Sequence, residues 1–431
     1  MSPSSNGAAW RSLRSAAIAL VVSAVSLVAA CGGGGSGNDA AANNGGGSPS
    51  SPSASSGPSQ QPIAATAANT VPVTVNAGLT GQLPNIPTVS VTLCVAGTSN
   101  CTTVNNVQVD TASFGLRLLA SALPASFANA LPATAAAGGG TLAECTAFAD
   151  GYTWGSVRTA DVKLGGETAS NIPIQLIGDL AASSTPQACA NIGAAQDTVQ
   201  DLGANGILGV GVAPTDCGVS CTTASGSNYF ACPNGTNCAI TPAAIAQQVA
   251  NPVPHFATDN NGVILQMAPV SNSGAPSATG TLVFGIGTQS NNAMTGAQTL
   301  ATDQWGNVTA TFNNTALKAA FLDSGSNGLF FVDSALPQCG GNLGSFYCPS
   351  QTQSLSATLT ARGGATATAS FNVANAQSLL GNGNNYAANN LAGEFGSATS
   401  LDLGLPFFYG RYVYYGIDQT ASGGKAPFVA F

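Results

Sequence analysis

Two aspartates stand in matching surroundings in the two halves of the chain. Residues 107–118 read VQVDTASFGLRL, and residues 320–331 read AFLDSGSNGLFF. Aligned on Asp110 and Asp323, both give an apolar residue, Asp, a hydroxyl residue, a small residue, Ser, any residue, Gly and Leu. Thr111 and Ser113 of the first copy answer to Ser324 and Ser326 of the second. An aspartate after an apolar run is ordinarily a turn residue or a helix cap. Two copies of one frame, one per half, ask for a chemical reason. Carboxylates held about 3 Å apart cannot both ionise, so they share one proton. The ionised member can act as base on a bound water, and the protonated member can donate to a carbonyl oxygen. The hydroxyls would hold the carboxyls coplanar, and the small residues would let two loops meet.

The elements that must position this pair are strands. The separation of the two copies is too long for a solenoid repeat. It suggests two similar lobes, each offering one Asp just after a buried strand. Short Val- and Thr-rich runs alternate with Gly, Asn and Pro, as in VSVTLCV, NNVQVD, NIPIQLIG, GVILQM and ATASFNV. Such runs are strands and turns. Helical patterns are few and short: 118–131, 242–249 and 332–336. The expected fold class is mostly β, two-lobed, with a central cleft.

Composition agrees with that class. The chain has 431 residues, 44% of them hydrophobic, enough for a sizeable core. Only 6% are charged, against roughly 25% in ordinary soluble proteins. Its surface is therefore built from Ser, Thr, Asn, Gln and Gly. The formal net charge is −8, and the Lys and Arg residues beyond residue 31 are scattered singly. No basic patch exists to neutralise phosphates, so nucleic acid is not an expected partner.

The first residues read as a targeting segment. Arg11 and Arg14 precede an unbroken small and apolar run, Ala16 to Ala30, that ends Val28-Ala29-Ala30-Cys31. The run is short for a membrane span and has the form of a signal peptide. Its end looks like a bacterial lipobox, with Cys31 as the lipidated residue. The expected organisation is a lipoprotein signal peptide over 1–30 and a flexible Gly/Ser/Pro/Asn-rich tether over 31–70. An N-terminal lobe over 71–250 and a C-terminal lobe over 251–431 follow. The membrane partner is then a lipid anchor only, in the cell envelope, at an outer membrane facing periplasm or surface.

Apart from Cys31 there are ten cysteines, an even number that implies disulfides in an exported chain. Nearest-neighbour pairing staples four single loops: Cys94–Cys101, Cys217–Cys221, Cys232–Cys238 and Cys339–Cys348. Cys145 and Cys189 are left for each other. A zinc reading of the 217–238 cluster lacks CxxC spacing and a nearby His, so no metal is expected.

The paired frames resemble the two D-T/S-G-S/T motifs of pepsin-like aspartic peptidases, one per lobe. That resemblance implies that Asp110 and Asp323 are the catalytic pair. It implies that Thr111 and Ser324 grip the opposite loop, and that Ser113 and Ser326 hydrogen-bond the outer carboxylate oxygens. It implies no cofactor, and a peptide or protein substrate. Further segments keep the family's order from about Val71 to Phe431, as in an uncharacterised proteobacterial lipoprotein branch. Residues 205–211 and 401–418 resemble its apolar–apolar–Gly segments, and 148–166 its flap hairpin, with Tyr152 or Trp154 as the flap aromatic. Cys339 and Cys348 lie where many members have a disulfide. There are three departures: Ala112 replaces the usual Gly, Asp402 stands where an apolar residue is expected, and the flap lacks a clear Tyr-Gly. The implied activity is endopeptidase. The alternative is a catalytically inactive module that binds peptide or envelope polymer.

Other chemistries find little support. His255 is the only histidine, and no GxSxG elbow accompanies it. Neither HExxH nor a P-loop is present. Asp259-Asn260-Asn261-Gly262 resembles half a calcium loop without its terminal Glu, and reads as a turn.

Overall fold

The computed structural model describes residues 58–394 and 397–431. The signal peptide, Cys31 and most of the tether lie outside the described residues. Strands dominate, and the runs read from the sequence form strands, some buried on both faces, as in Gly262–Met267, and others alternating between core and solvent. Thr366–Val373 shows this plainly: Ala367, Ala369, Phe371 and Val373 are buried and the residues between them are not.

Two sheets result. The smaller has seven strands and belongs to the second half. The larger runs continuously from the first half into the second. Its link is Thr70–Val75, which pairs antiparallel with Ala278–Phe284 from Thr70↔Val283 to Val75↔Ala278. The first strand of the N-terminal half is thereby built into the sheet of the C-terminal half. Residues 58–69, read as the end of the tether, are also bound there. The Gln60 amide donates to Gly410 O at 2.9 Å, the Ile63 amide to Gln266 at 2.9 Å, and Thr281 Oγ1 to Ile63 O at 2.6 Å.

Helices are few, as expected, and they are shorter than the apolar spacing suggested. Leu118 and Leu119 continue a strand, because Arg117–Leu119 pairs with Gln175–Ile177; a 3-10 turn, Ala120–Ala122, and the helix Ala125–Ala130 follow. Residues 242–249 contain one 3-10 turn, Ile245–Gln247. Residues 332–336 form a turn in which the Asp333 side chain accepts the Ala335 amide at 3.0 Å. All five expected disulfides are present: 94–101, 145–189, 217–221, 232–238 and 339–348.

Candidate active site

Each half holds its aspartate by the same device. The strand Cys101–Asp110 runs parallel to Gly206–Val210, with Asp110 opposite Gly209. The strand Thr315–Asp323 runs parallel to Ser400–Gly404, with Asp323 opposite Gly404. After each Asp the chain turns and crosses the same partner antiparallel, placing Leu116 opposite Leu208 and Leu329 opposite Leu403. The two glycines make room for that return. A Cβ on Gly209 would stand 2.6 Å from Phe114 N, and one on Gly404 would stand 2.0 Å from Gly328 O. The motif repeated in the sequence is therefore a repeated strand–loop–strand unit.

The two loops meet. Thr111 Oγ1 donates to Leu322 O at 3.3 Å and accepts the Ser324 amide at 2.9 Å. Ser324 Oγ donates to Val109 O at 2.7 Å. Both hydroxyl residues are buried, so each bond exchanges no water and holds one loop to the other. Gln108 and Tyr415 add supports that the motifs do not contain. Gln108 Nε2 donates to Gly325 O at 2.9 Å, and the Tyr415 hydroxyl donates to Leu322 O at 3.0 Å. A Cβ on Gly325 would stand 2.7 Å from the Asp110 carboxyl carbon. That contact brings the first carboxyl directly over the second loop.

The carboxyls have unequal surroundings. Asp110 Oδ1 accepts the amides of Ala112 and Ser113 at 2.9 and 3.1 Å. Asp323 accepts the Gly325 amide at 2.7 Å and the Ser326 hydroxyl at 2.8 Å. The Ser113 hydroxyl, expected to serve Asp110 in the same way, is buried and has no partner among the described residues. The residue Asp323 is half-buried, but its carboxyl lies on the cleft floor. Burial, and then the neighbouring Asp110, push it up to about 7, against the opposing pull of Ser326 and the Gly325 amide.

The pair opens into a cleft of about 740 Å³ lined mainly by apolar groups, among them Phe114, Phe148, Trp305 and Phe321. Phe114, in the first loop, packs on Trp305 of the second half with ring centres 5.8 Å apart. One wall is a hairpin of Thr141–Phe148 and Gly151–Leu164, turned at Ala149-Asp150 with Phe148 opposite Gly151. Its cleft aromatic is Phe148. Tyr152 and Trp154 lie on the hairpin but face away, buried with Phe230 and the Cys145–Cys189 disulfide. Strand alternation decides this. Trp154 lies opposite Cys145, on the other face from Thr146 and Phe148.

A buried charge cluster ties this hairpin to the first loop. Arg117 reaches Glu144 Oε1 at 2.6 Å, Phe114 O at 2.8 Å and Asp216 Oδ2 at 3.4 Å. Its guanidinium lies 6.0 Å from the Phe148 ring centre. Burial opposes ionisation of Glu144, but Arg117 together with hydrogen bonds from Asp216 and Thr146 holds that carboxyl below its usual range. Burial, then Glu144 beside it, push Asp216 well above its usual range. The Tyr229 hydroxyl donates to Asp216 at 2.6 Å and closes the cluster. Sequence reading missed all four residues, because they lie far apart in the chain. His255 is exposed on a 3-10 turn, Val253–His255, and is not among the cleft residues.

The model of one sequence family matches residues 65–431, nearly all of the folded chain. The chain belongs to the family described as "Protein of unknown function (DUF3443)". No curated protein matches it. Among solved structures it is similar to the crystal structure of an aspartic proteinase from Irpex lacteus. The two share 17% identity with a TM-score of 0.46, over 84% of this chain and 97% of that one.

Proposed function

We propose that this protein is an envelope-anchored aspartic endopeptidase that hydrolyses peptide bonds through Asp110, Asp323 and an activated water. The observation that carries this reading is the meeting of the Asp110 and Asp323 loops, locked together by Thr111 and Ser324 so that the first carboxyl stands over the second loop. A pair of carboxyls that shares one proton has one base and one acid ready together. Asp323 carries the proton and donates it to the substrate carbonyl. Asp110 takes a proton from the attacking water. The tetrahedral carbon then expels the amine, which receives its proton from the pair. The apolar cleft suits an extended peptide whose side chains enter on both sides.

Anchoring through Cys31 at an outer membrane, facing periplasm or surface, belongs to the same reading. Its support is the Val28–Cys31 sequence together with five disulfides, which form in oxidising compartments. Asp110→Asn and Asp323→Asn should each abolish cleavage of unstructured peptides between about pH 4 and 7 without unfolding the protein. Cleavage that survives either change would remove the mechanism. Cys31→Ala should move the protein from the membrane fraction to the soluble one, and unchanged fractionation would refute the anchor.

One observation favours a second reading, a silent module that binds peptide or cell-envelope polymer. Ala112 carries a Cβ at the place where its counterpart Gly325 has none, and the neighbouring Ser113 hydroxyl is unpartnered. Under this reading the wild type binds peptides and cuts none, while Ala112→Gly gains cleavage.

A further inference from the structure

A second cavity, of about 840 Å³, lies in the C-terminal half and shares no lining residue with the cleft. One wall is the hairpin of Gln353–Thr360 and Thr366–Val373, which sets Ser354 opposite Asn372 and Ser356 opposite Ser370. These four alternate with apolar residues along their strands, so their hydroxyls and amide leave the sheet on one face. All four line the cavity.

Arg411 lines it too. Its guanidinium covers the Phe407 ring, 4.0 Å from the ring centre. One terminal nitrogen donates to Phe407 O, and the other to Ser370 O at 2.8 Å. A guanidinium has five N–H groups. With two used, three are left without a partner among the described residues. The lack of an acid sets this cation apart. Three Lys or Arg residues of the described chain are not exposed: Arg117, Arg158 and Arg411. Arg117 meets Glu144 and Arg158 meets Asp179. Among the described residues Arg411 meets no carboxylate. Burial lowers it to about 10, with no neighbouring acid to raise it, and it is still a cation at neutral pH.

An unsatisfied acceptor lines the same cavity. Asn389 Nδ2 donates to Val270 O at 3.0 Å and to Asn272 Oδ1 at 3.2 Å, which fixes how the amide is turned. Its Oδ1 is buried and has no partner among the described residues. A half-buried cation with spare donors is completed by an anion. A buried carbonyl oxygen without a donor is completed by an N–H or O–H. A wall of hydroxyls and amides matches a ligand that is itself rich in hydroxyls. A sugar that carries a charge meets all three demands, and a cavity of this size takes about one or two sugar rings. An acidic peptide would satisfy Arg411 but leave most of the hydroxyl wall unused.

We propose that this cavity is a binding site for an anionic sugar, a hexuronate or a sugar phosphate: Arg411 holds the charged group, and a sugar hydroxyl donates to Asn389 Oδ1. The site stands apart from Asp110 and Asp323, so it does not depend on whether the cleft cleaves peptides.

The test is calorimetric titration of the whole protein with glucuronate, glucose 6-phosphate, glucose, inorganic phosphate and a capped glutamate dipeptide. At least one of the two anionic sugars should bind about tenfold more tightly than glucose and than inorganic phosphate. Arg411→Gln should bring that sugar down to the level of glucose. Asn389→Leu should weaken it about fivefold and leave inorganic phosphate unchanged. Ser356→Trp, on the exposed face of the hairpin, fills the cavity without touching the core and should abolish binding; it decides the matter if the other two variants do not fold. Four results would each overturn the proposal. They are no binding of either anionic sugar, phosphate as tight as the sugar phosphate, the dipeptide tighter than both sugars, and sugar binding that survives Ser356→Trp.

Discussion

Thr111 and Ser324 are joined across the two halves: Thr111 Oγ1 accepts the Ser324 amide at 2.9 Å, while Ser324 Oγ reaches back to Val109 O at 2.7 Å. They are the hydroxyl residues next to Asp110 and Asp323, so the same bonds that join the halves set the spacing of the carboxyls. Thr111→Val keeps the shape and removes the hydroxyl, leaving a buried amide unsatisfied. We expect a loss of about 1–3 kcal/mol in denaturant unfolding and a fall in cleavage larger than that stability loss explains. Unchanged unfolding would show that the bond is not made.

The raised Asp323 carboxyl has a consequence for stability. Below its ordinary value of 3.8 the group is protonated in both states. Between there and about 7 the unfolded chain ionises while the folded protein keeps the proton. The folded state then binds more protons, so stability falls as pH rises, by up to about 1.4 kcal/mol per pH unit. Asp323→Asn removes this slope and should unfold at higher temperature than the wild type near neutrality, with little difference in acid. Parallel melting curves for the two proteins across that window would contradict the shift.

Phe148 and Trp154 separate two roles on one hairpin. Phe148 lines the cleft, and Phe148→Ala should weaken peptide binding and cleavage roughly tenfold while costing under about 1 kcal/mol of stability. Trp154 is packed on Phe230 with its indole donating to Ser184, and Trp154→Ala should cost about 3–5 kcal/mol. Chemical unfolding and peptide affinity, measured on both variants, give opposite rankings if the hairpin faces as described.

Arg117 is buried and compensates Glu144. Arg117→Met leaves that carboxylate without its cation, at a cost of about 3–5 kcal/mol. Adding Glu144→Gln to Arg117→Met should recover much of the loss, because no charge is then left buried. A double variant as unstable as the sum of the singles would show that the two residues do not act as a pair.

Much of this was legible in one dimension. Asp110 and Asp323 stand in local frames that a reader can align, and each frame became the same strand–loop–strand unit. The disulfide pairing was also readable, since four of the five bridges close loops of under ten residues and leave one pair over. The hairpin was misread by a few residues, because Tyr152, Trp154 and Phe148 are all aromatic and only strand register tells which face each takes.

The sequence by itself determined the β-rich class, the two-copy design and the identity of the paired aspartates, because those depend on local spacing and residue type. Tertiary structure alone decided what surrounds them. Gln108, Tyr415, Arg117, Glu144, Asp216 and Asp402 come from separate strands and loops, and their chemistry exists only where the folded sheets bring those segments together. Asp402 is the clearest case. In the chain it is one acid in an apolar run, and burial beside Asp323 pushes its carboxyl well above the usual range.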